Sequence, residues 1–333
     1  MIKRALVFFL GIAVLAGSAM ALSLNGAGAT FPYPLYSKWF SVYKNQSGVQ
    51  VNYAPIGSGG GIRQFTAGVV DFGGTDAFMT DGEIDAASND VIHIPTVAGA
   101  VAVVTNIGVG GLKLDGETLA AIFLGGIKKW NDPKIAELNP GVNFPDKNIL
   151  VVHRSDSSGT SDIFTNYLAK VSSKWASQVG AGKSVAWPTG VGGKGNPGVA
   201  GAVKNNEGSI GYVEEAYAET NQLDMTAIKN KAGKYVLPSV AGTISAMAAG
   251  VSKIPADFRG NILNQAGKST YPICGLTWLV VHQKQRNAEK SAALKAMLTW
   301  ALNDGKKYAA ELFYAPLPEN LKNKVLKVVN SIE

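Results

Sequence analysis

The chain has 333 residues, 46% of them hydrophobic and 17% charged, with a formal net charge of +7. That length and balance suit two packed domains and exclude a disordered or fibrous chain. The positive charge modestly favours anionic ligands, but the basic residues are scattered and form no basic-aromatic stripe, so no nucleic-acid partner is expected.

Met1 to Arg4 is short and basic, Ala5 to Gly17 is apolar, and Ala19-Met20-Ala21 puts small residues where a signal peptidase reads. The apolar run is too short for a comfortable membrane crossing. Residues 1–21 are therefore expected to be a cleaved signal peptide, leaving 29 basic and 24 acidic residues, or +5, in a mature chain that starts near Leu22. The sole cysteine, Cys274, lies far from that junction, which disfavours lipid anchoring and allows no internal disulfide. It reads as a small buried hydrophobe.

Leu24 to Phe31 reads as a small-residue turn, followed by a helix whose apolar face is Leu35, Trp39, Phe40 and Tyr43 and which ends near Gly48. Val49 to Ile56 predicts a strand, and Gly57-Ser-Gly-Gly-Gly61 opens a second helix containing Ile62, Phe65 and Val69. Val70 to Asp76 predicts a short strand ending in a turn. Val91 to Thr105 is extended and apolar, long enough to run between domains. Leu119 to Leu124 is helical, and Asn131-Asp-Pro133 marks a turn.

Ile149-Leu-Val-Val152 predicts a buried strand, and Ile163, Phe164, Tyr167, Leu168 and Val171 predict a helical face. Between them lies Arg154-Ser-Asp-Ser-Ser-Gly-Thr-Ser161. A helix start has amide hydrogens without intrahelical acceptors and partial positive charge. Hydroxyls, a glycine that permits close approach and a guanidinium at that point describe an oxyanion site; taken alone, the same residues also suit an ordinary N-cap. Similar junctions of strand or turn with helix occur at Thr30 and Ser58, and Asp76 ends a fourth turn.

The glycine-rich run Val185 to Val199 has no phosphate-loop spacing, so a nucleotide is not expected. Ser209 to Val213 and Pro272 to Val281 predict strands, and Ala288 to Leu302 and Glu319 to Val329 predict amphipathic helices. In the last, Leu321, Val325, Val328 and Val329 form the buried side. The alternation predicts an α/β fold with mostly parallel sheets, in which ligands sit at the carboxyl ends of strands.

Seven segments together resemble the periplasmic phosphate-binding proteins of high-affinity phosphate ABC importers, a type II solute-binding family. They are Gly26-Ala-Gly-Ala-Thr-Phe-Pro32, Gly57-Ser-Gly-Gly-Gly61, Val70-Asp-Phe-Gly-Gly-Thr-Asp76, Lys128-Lys-Trp-Asn131, Arg154 to Ser161, Gly192-Gly-Lys-Gly-Asn196 and Gly211-Tyr-Val-Glu214. They span the mature chain in order. Gly60 and Ser157 are small departures from the family's commoner residues. The resemblance implies two lobes, each a mostly parallel sheet flanked by helices, with the ligand cleft between them. Lobe I would comprise residues 22–96 and 272–333, lobe II residues 102–267, with crossovers at 97–101 and 268–271.

On that resemblance, Thr30, the amide of Phe31, Ser58, Asp76, Arg154, Ser158, Gly159 and Thr160 would contact phosphate. Asp156 would orient Arg154. Asp76 would accept the proton that phosphate carries and sulfate lacks. The expected partners are inorganic phosphate and the permease subunits of an ABC importer. The family implies a periplasmic monomer without cofactor, metal or catalytic residue.

Three competing classes are a sulfate or other oxyanion binder, a secreted phosphatase using Ser158, and a surface protein. The phosphatase needs a base or metal, yet only His93, His153 and His282 are available, without metal spacing. His153 alternates with Arg154 and is expected to face away from the cleft.

Overall fold

The computed structural model describes residues 22–87 and 91–333. The expected signal peptide lies outside the described residues. The chain opens with β1 (Ser23–Gly28), α1 (Tyr33–Ser47), β2 (Gln50–Pro55), α2 (Ser58–Thr66), β3 (Phe72–Thr75) and α3 (Asp81–Ala86). The long strand β4 (Val91–Asn106) leads into β5 (Lys113–Leu114), α4 (Gly116–Phe123), α5 (Pro133–Leu138), β6 (Leu150–Arg154) and α6 (Gly159–Val171). Then come α7 (Ser173–Gln178), β7 (Val191–Gly193), α8 (Gly195–Asn205), β8 (Ser209–Glu214) and α9 (Glu215–Asn221). The remainder is β9 (Asp224–Met225), β10 (Ala227–Lys229), β11 (Tyr235–Val236), α10 (Val240–Gly250), β12 (Cys274–His282), α11 (Ala288–Asn303), β13 (Ala315–Pro316) and α12 (Glu319–Asn330).

One sheet path runs β2-β1-β3-β12-β4-β8-β6-β7. Its two ends are parallel: β1 with β2 and β3, and β6 with β7 and β8. The middle is antiparallel, because β12 pairs with both β3 and β4, and β4 with β8. Along this path β4 passes from one partner to the next between Cys274 opposite Ala100 and Glu214 opposite Val101, while β13 pairs with it at Ala98 and β9 at Val104. Its residues His93 to Thr105 are all buried, which explains an apolar run without two-residue alternation. The parallel strands of both halves run toward this change of partner, so their carboxyl ends face one another across it.

Local sequence accounts for most elements. α1 buries Leu35, Tyr36, Trp39, Phe40 and Tyr43 on one face and ends at Gly48, whose φ of 76° suits glycine and whose amide donates to Lys44 O. Each large side chain buried this way contributes about 1.5–3 kcal/mol. In α12, Leu321, Val325 and Val329 are buried as expected, and Val328 is half-buried. Asp132, in the expected turn, accepts from Lys134 N and caps α5.

Two readings are corrected. The stretch from Leu24 is not a turn: residues 23–28 form β1, the strand between β2 and β3. Glycine and alanine carry little strand propensity, but here they allow close packing. A Cβ on Gly26 would overlap the Phe72 ring, and one on Gly61 of α2 would lie 2.4 Å from the Gly28 Cα. Val69 is not part of α2, because the helix stops at Thr66, and Val69 is 67% exposed.

Candidate functional site

Helix starts gather where the carboxyl ends of the strands converge. α1, α2 and α8 begin without a side-chain hydrogen bond from their N-cap residues. Instead Gly59 N donates to Ser157 O, Gly195 N to Asp156 and Asn196 N to Thr30, ties that bind the helix starts to one another. α6 begins at Gly159 and is capped by Ser158, whose Oγ accepts from Ser161 N at 3.0 Å. Thr30, Ser58, Asp76, Arg154, Ser158 and Thr160 are all buried.

The hydroxyls share one feature. Thr30 Oγ1 accepts from Asn196 N at 3.1 Å and from Asn196 Nδ2 at 3.0 Å. Thr160 Oγ1 accepts from Arg154 Nη1 at 3.2 Å and from Asn196 Nδ2 at 3.1 Å. Ser58 Oγ accepts from Gly159 N at 3.1 Å and from Asp76 N at 3.2 Å. A hydroxyl has two lone pairs and one hydrogen. With N–H donors on the oxygens, each O–H is left to donate. The cluster is therefore lined by donors.

Asp76 is the exception. Its Oδ1 accepts from Thr277 Oγ1 at 2.8 Å, while Oδ2 has only Ser58 Oγ at a long 3.4 Å. Burial pushes the Asp76 carboxyl up to about 7, against the hydrogen bond from Thr277, the charge of Arg154 and the contact with Ser58. Gly159 sits against it: a Cβ there would lie 2.5 Å from Ser58 Oγ and 2.6 Å from Asp76 Cβ. Phe31 packs edge-on to Tyr314, with its ring buried. Among the described residues no acceptor meets the Phe31 N–H.

Arg154 is held by Asp156 in a fork, Nε to Oδ1 at 2.8 Å and Nη2 to Oδ2 at 2.6 Å. Partial burial pushes Asp156 upward, but the hydrogen bonds and charge of Arg154 outweigh it and hold the carboxyl below its usual range. Asp156 Oδ1 also accepts from Gly195 N at 2.9 Å, tying the β6–α6 loop to the start of α8.

All eight expected contact residues and Asp156 thus lie in one neighbourhood, and most are joined by hydrogen bonds. The histidines lie elsewhere. His153 stacks on Trp187 with centroids 4.8 Å apart, and His282 stacks on Phe65 at 4.4 Å. His93 Nε2 accepts from Met79 N, and burial lowers its pKa to about 4. Among the described residues no group of three or more metal-ligating side chains occurs.

The family model for the PBP superfamily domain matches residues 15–304. A curated relative from Pasteurella multocida, named Phosphate-binding protein PstS, is 47% identical over 329 residues, covering 98% of this chain and 95% of that one. The chain belongs to this family. A second PstS relative, from Haemophilus influenzae, is 44% identical and covers 92% of each chain. Among solved structures, a high affinity periplasmic phosphate-binding protein (PfluDING) bound with phosphate superposes with a TM-score of 0.72 at 23% identity, over 91% of this chain and 93% of that one. The two-lobed α/β architecture is thus that of the family.

Membership does not by itself explain the supporting residues, several of which carried little signal in the sequence. Asn196 joins Thr30 to Thr160, and its Oδ1 accepts from Glu214 N at 2.9 Å, which fixes the amide's orientation. It stands at the end of the Gly192 to Asn196 motif, so it was within reach. Thr277, Tyr217 and Tyr314 lie in segments whose local pattern announces only strand, helix or loop. Tyr217 OH donates to Thr30 O at 2.6 Å, and Tyr314 OH donates to Phe31 O at 2.6 Å.

Proposed function

We propose that the chain binds one inorganic phosphate per molecule in the periplasm and delivers it, by hinge closure, to an ABC-type import permease. Thr30, the Phe31 amide, Ser58, Arg154, Ser158, Gly159 and Thr160 donate to the anion, and Asp76 accepts its proton. Asp156 keeps the Arg154 guanidinium in register. The lobes are residues 22–96 with 272–333, and 102–267, with crossovers at 97–101 and 268–271. The change of partner in β4 at Ala100 and Val101 supports that division. The chain works by binding alone, without chemistry on its ligand. Names of relatives 44–47% identical over nearly the whole chain support the phosphate reading.

The observation that carries it is the polarity of the contact residues, donors throughout with Asp76 as their single carboxylate, since Asp156 is taken up by Arg154 and Gly195. Phosphate at neutral pH keeps at least one proton, and that proton satisfies Asp76. Sulfate has none and would face the carboxylate with bare oxygen. A site built around such a bond rejects the analogue lacking it by roughly 10⁴–10⁵.

Isothermal titration with the two anions tests this. Phosphate is expected to bind at pH 8 and sulfate to bind far more weakly; equal binding would overturn the reading. Asp76, at about 7, becomes a donor when protonated and can then serve sulfate. Sulfate affinity is expected to rise as pH falls toward 7, by about tenfold per unit, and to level off below, because each binding event takes up one proton.

A further inference from the structure

Glu214 ends β8 opposite Val101, where β4 changes partner. It is fully buried. The groups that face it are Glu215, Asp76, Tyr314 and Tyr217, none of which brings positive charge. Its Oε2 lies 2.9 Å from Tyr314 OH and accepts from Ala216 N at 2.9 Å. Its Oε1 is buried and has no hydrogen-bond partner among the described residues.

The hydrogens can be counted. Tyr314 OH has one hydrogen and two oxygens in reach, Phe31 O at 2.6 Å and Glu214 Oε2 at 2.9 Å. A peptide carbonyl only accepts, and at 2.6 Å Phe31 O is the nearer of the two, so the shorter contact takes the phenolic hydrogen. The second contact is then a hydrogen bond only if Glu214 supplies the hydrogen. An ionised Glu214 would draw the phenolic hydrogen to itself, since a charged acceptor makes the stronger bond. Phe31 O would be left unpaired in a buried place. The bare Oε1 agrees with the carbonyl oxygen of a neutral acid, because an unpartnered charged oxygen is far costlier to bury.

We propose that Glu214 is held as a neutral carboxylic acid and acts, through Tyr314, as a positioning residue for the Thr30–Phe31 turn. This rests on the phosphate reading, in which that turn contributes a hydroxyl and an amide to the anion. Tyr217 holds Thr30 O and Tyr314 holds Phe31 O, so both carbonyls flanking the Phe31 Cα are pinned by phenols. Glu214 decides which way the second phenol points. Glu214 falls within residues 102–267, and Tyr314 and Phe31 within residues 272–333 and 22–96, so the chain from acid to phenol to carbonyl links segments assigned to both lobes.

Two variants and one spectrum test the proposal. Glu214→Gln keeps a donor toward Tyr314, and its phosphate affinity is expected within about twofold of the parent, whereas Tyr314→Phe strips the donor from Phe31 O and is expected to bind about tenfold more weakly. The infrared difference spectrum of the parent minus Glu214→Gln, taken without phosphate at pH 7.5, should contain a protonated carboxylic-acid carbonyl band. Absence of that band, or a loss of affinity in Glu214→Gln as large as in Tyr314→Phe, would overturn the proposal. The spectrum needs no ligand, so failure of the parent to bind phosphate would count against the phosphate reading alone, while the band still decides the state of Glu214.

Discussion

The two sides of the cluster are built in opposite ways. On one side Arg154, Asp156, Ser158, Gly159 and Thr160 come from a single junction between β6 and α6. On the other, Thr30, Ser58 and Asp76 come from three turns after β1, β2 and β3, and the partner of Asp76, Thr277, is 201 positions away in sequence. The contiguous side supplies the cation and helix-start donors, which local sequence can place. The dispersed side supplies further donors and Asp76, the one carboxylate among the proposed contact residues, whose setting depends on strands assembled at long range. Much of the attraction for a tetrahedral anion can thus be encoded in one loop, while the choice among such anions requires the fold.

That contrast can be broken experimentally. The largest expected effect is on the dispersed side: Asp76→Asn replaces the acceptor with a group that can donate. The preference for phosphate over sulfate is expected to shrink by about 10⁴ in competition titrations, and an unchanged preference would relocate the discriminator. Next comes Arg154→Ala, which removes the cation and strands Asp156. It is expected to cost about 2–5 kcal/mol of phosphate binding, with little change in the preference between anions. Alanine at Lys128 or at Lys129, whose partner Asp146 is exposed, should leave affinity unchanged. A loss there equal to that at Arg154 would mean that general positive charge, not the fork with Asp156, holds the anion. The smallest expected loss is that of Asn196→Ala, which uncouples Thr30 from Thr160 across the two sides. About tenfold weaker binding is expected from lost hydrogen bonds, measured by the same titration.

Much of this was legible in the sequence because helix starts and apolar periodicity are local signals. α1, α6, α11 and α12 fall where their apolar faces and end residues put them. The contact residues were legible for a different reason: seven motifs in order, read as a resemblance. What escaped was set by packing. β1 hid because residues small enough to admit Phe72 and α2 resemble turn residues. The antiparallel middle of the sheet escaped because strand direction follows from the return of β12 along β4, which no local window contains. Thr277, Tyr217 and Tyr314 escaped because one hydroxyl on a strand, helix or loop looks like any other until its acceptor is known.

The sixteen residues of β4 bear on any attempt to divide the protein. A cut between Ala100 and Val101 would leave ten residues of the strand on the first fragment, parted from β12 and β13, and six on the second, which keeps β8 and β9 but strips β12 of its partner in β4. Such open, water-averse edges invite self-pairing. Two separately expressed fragments are therefore poor candidates for complementation, and fusion partners or new termini belong in exposed loops far from that strand.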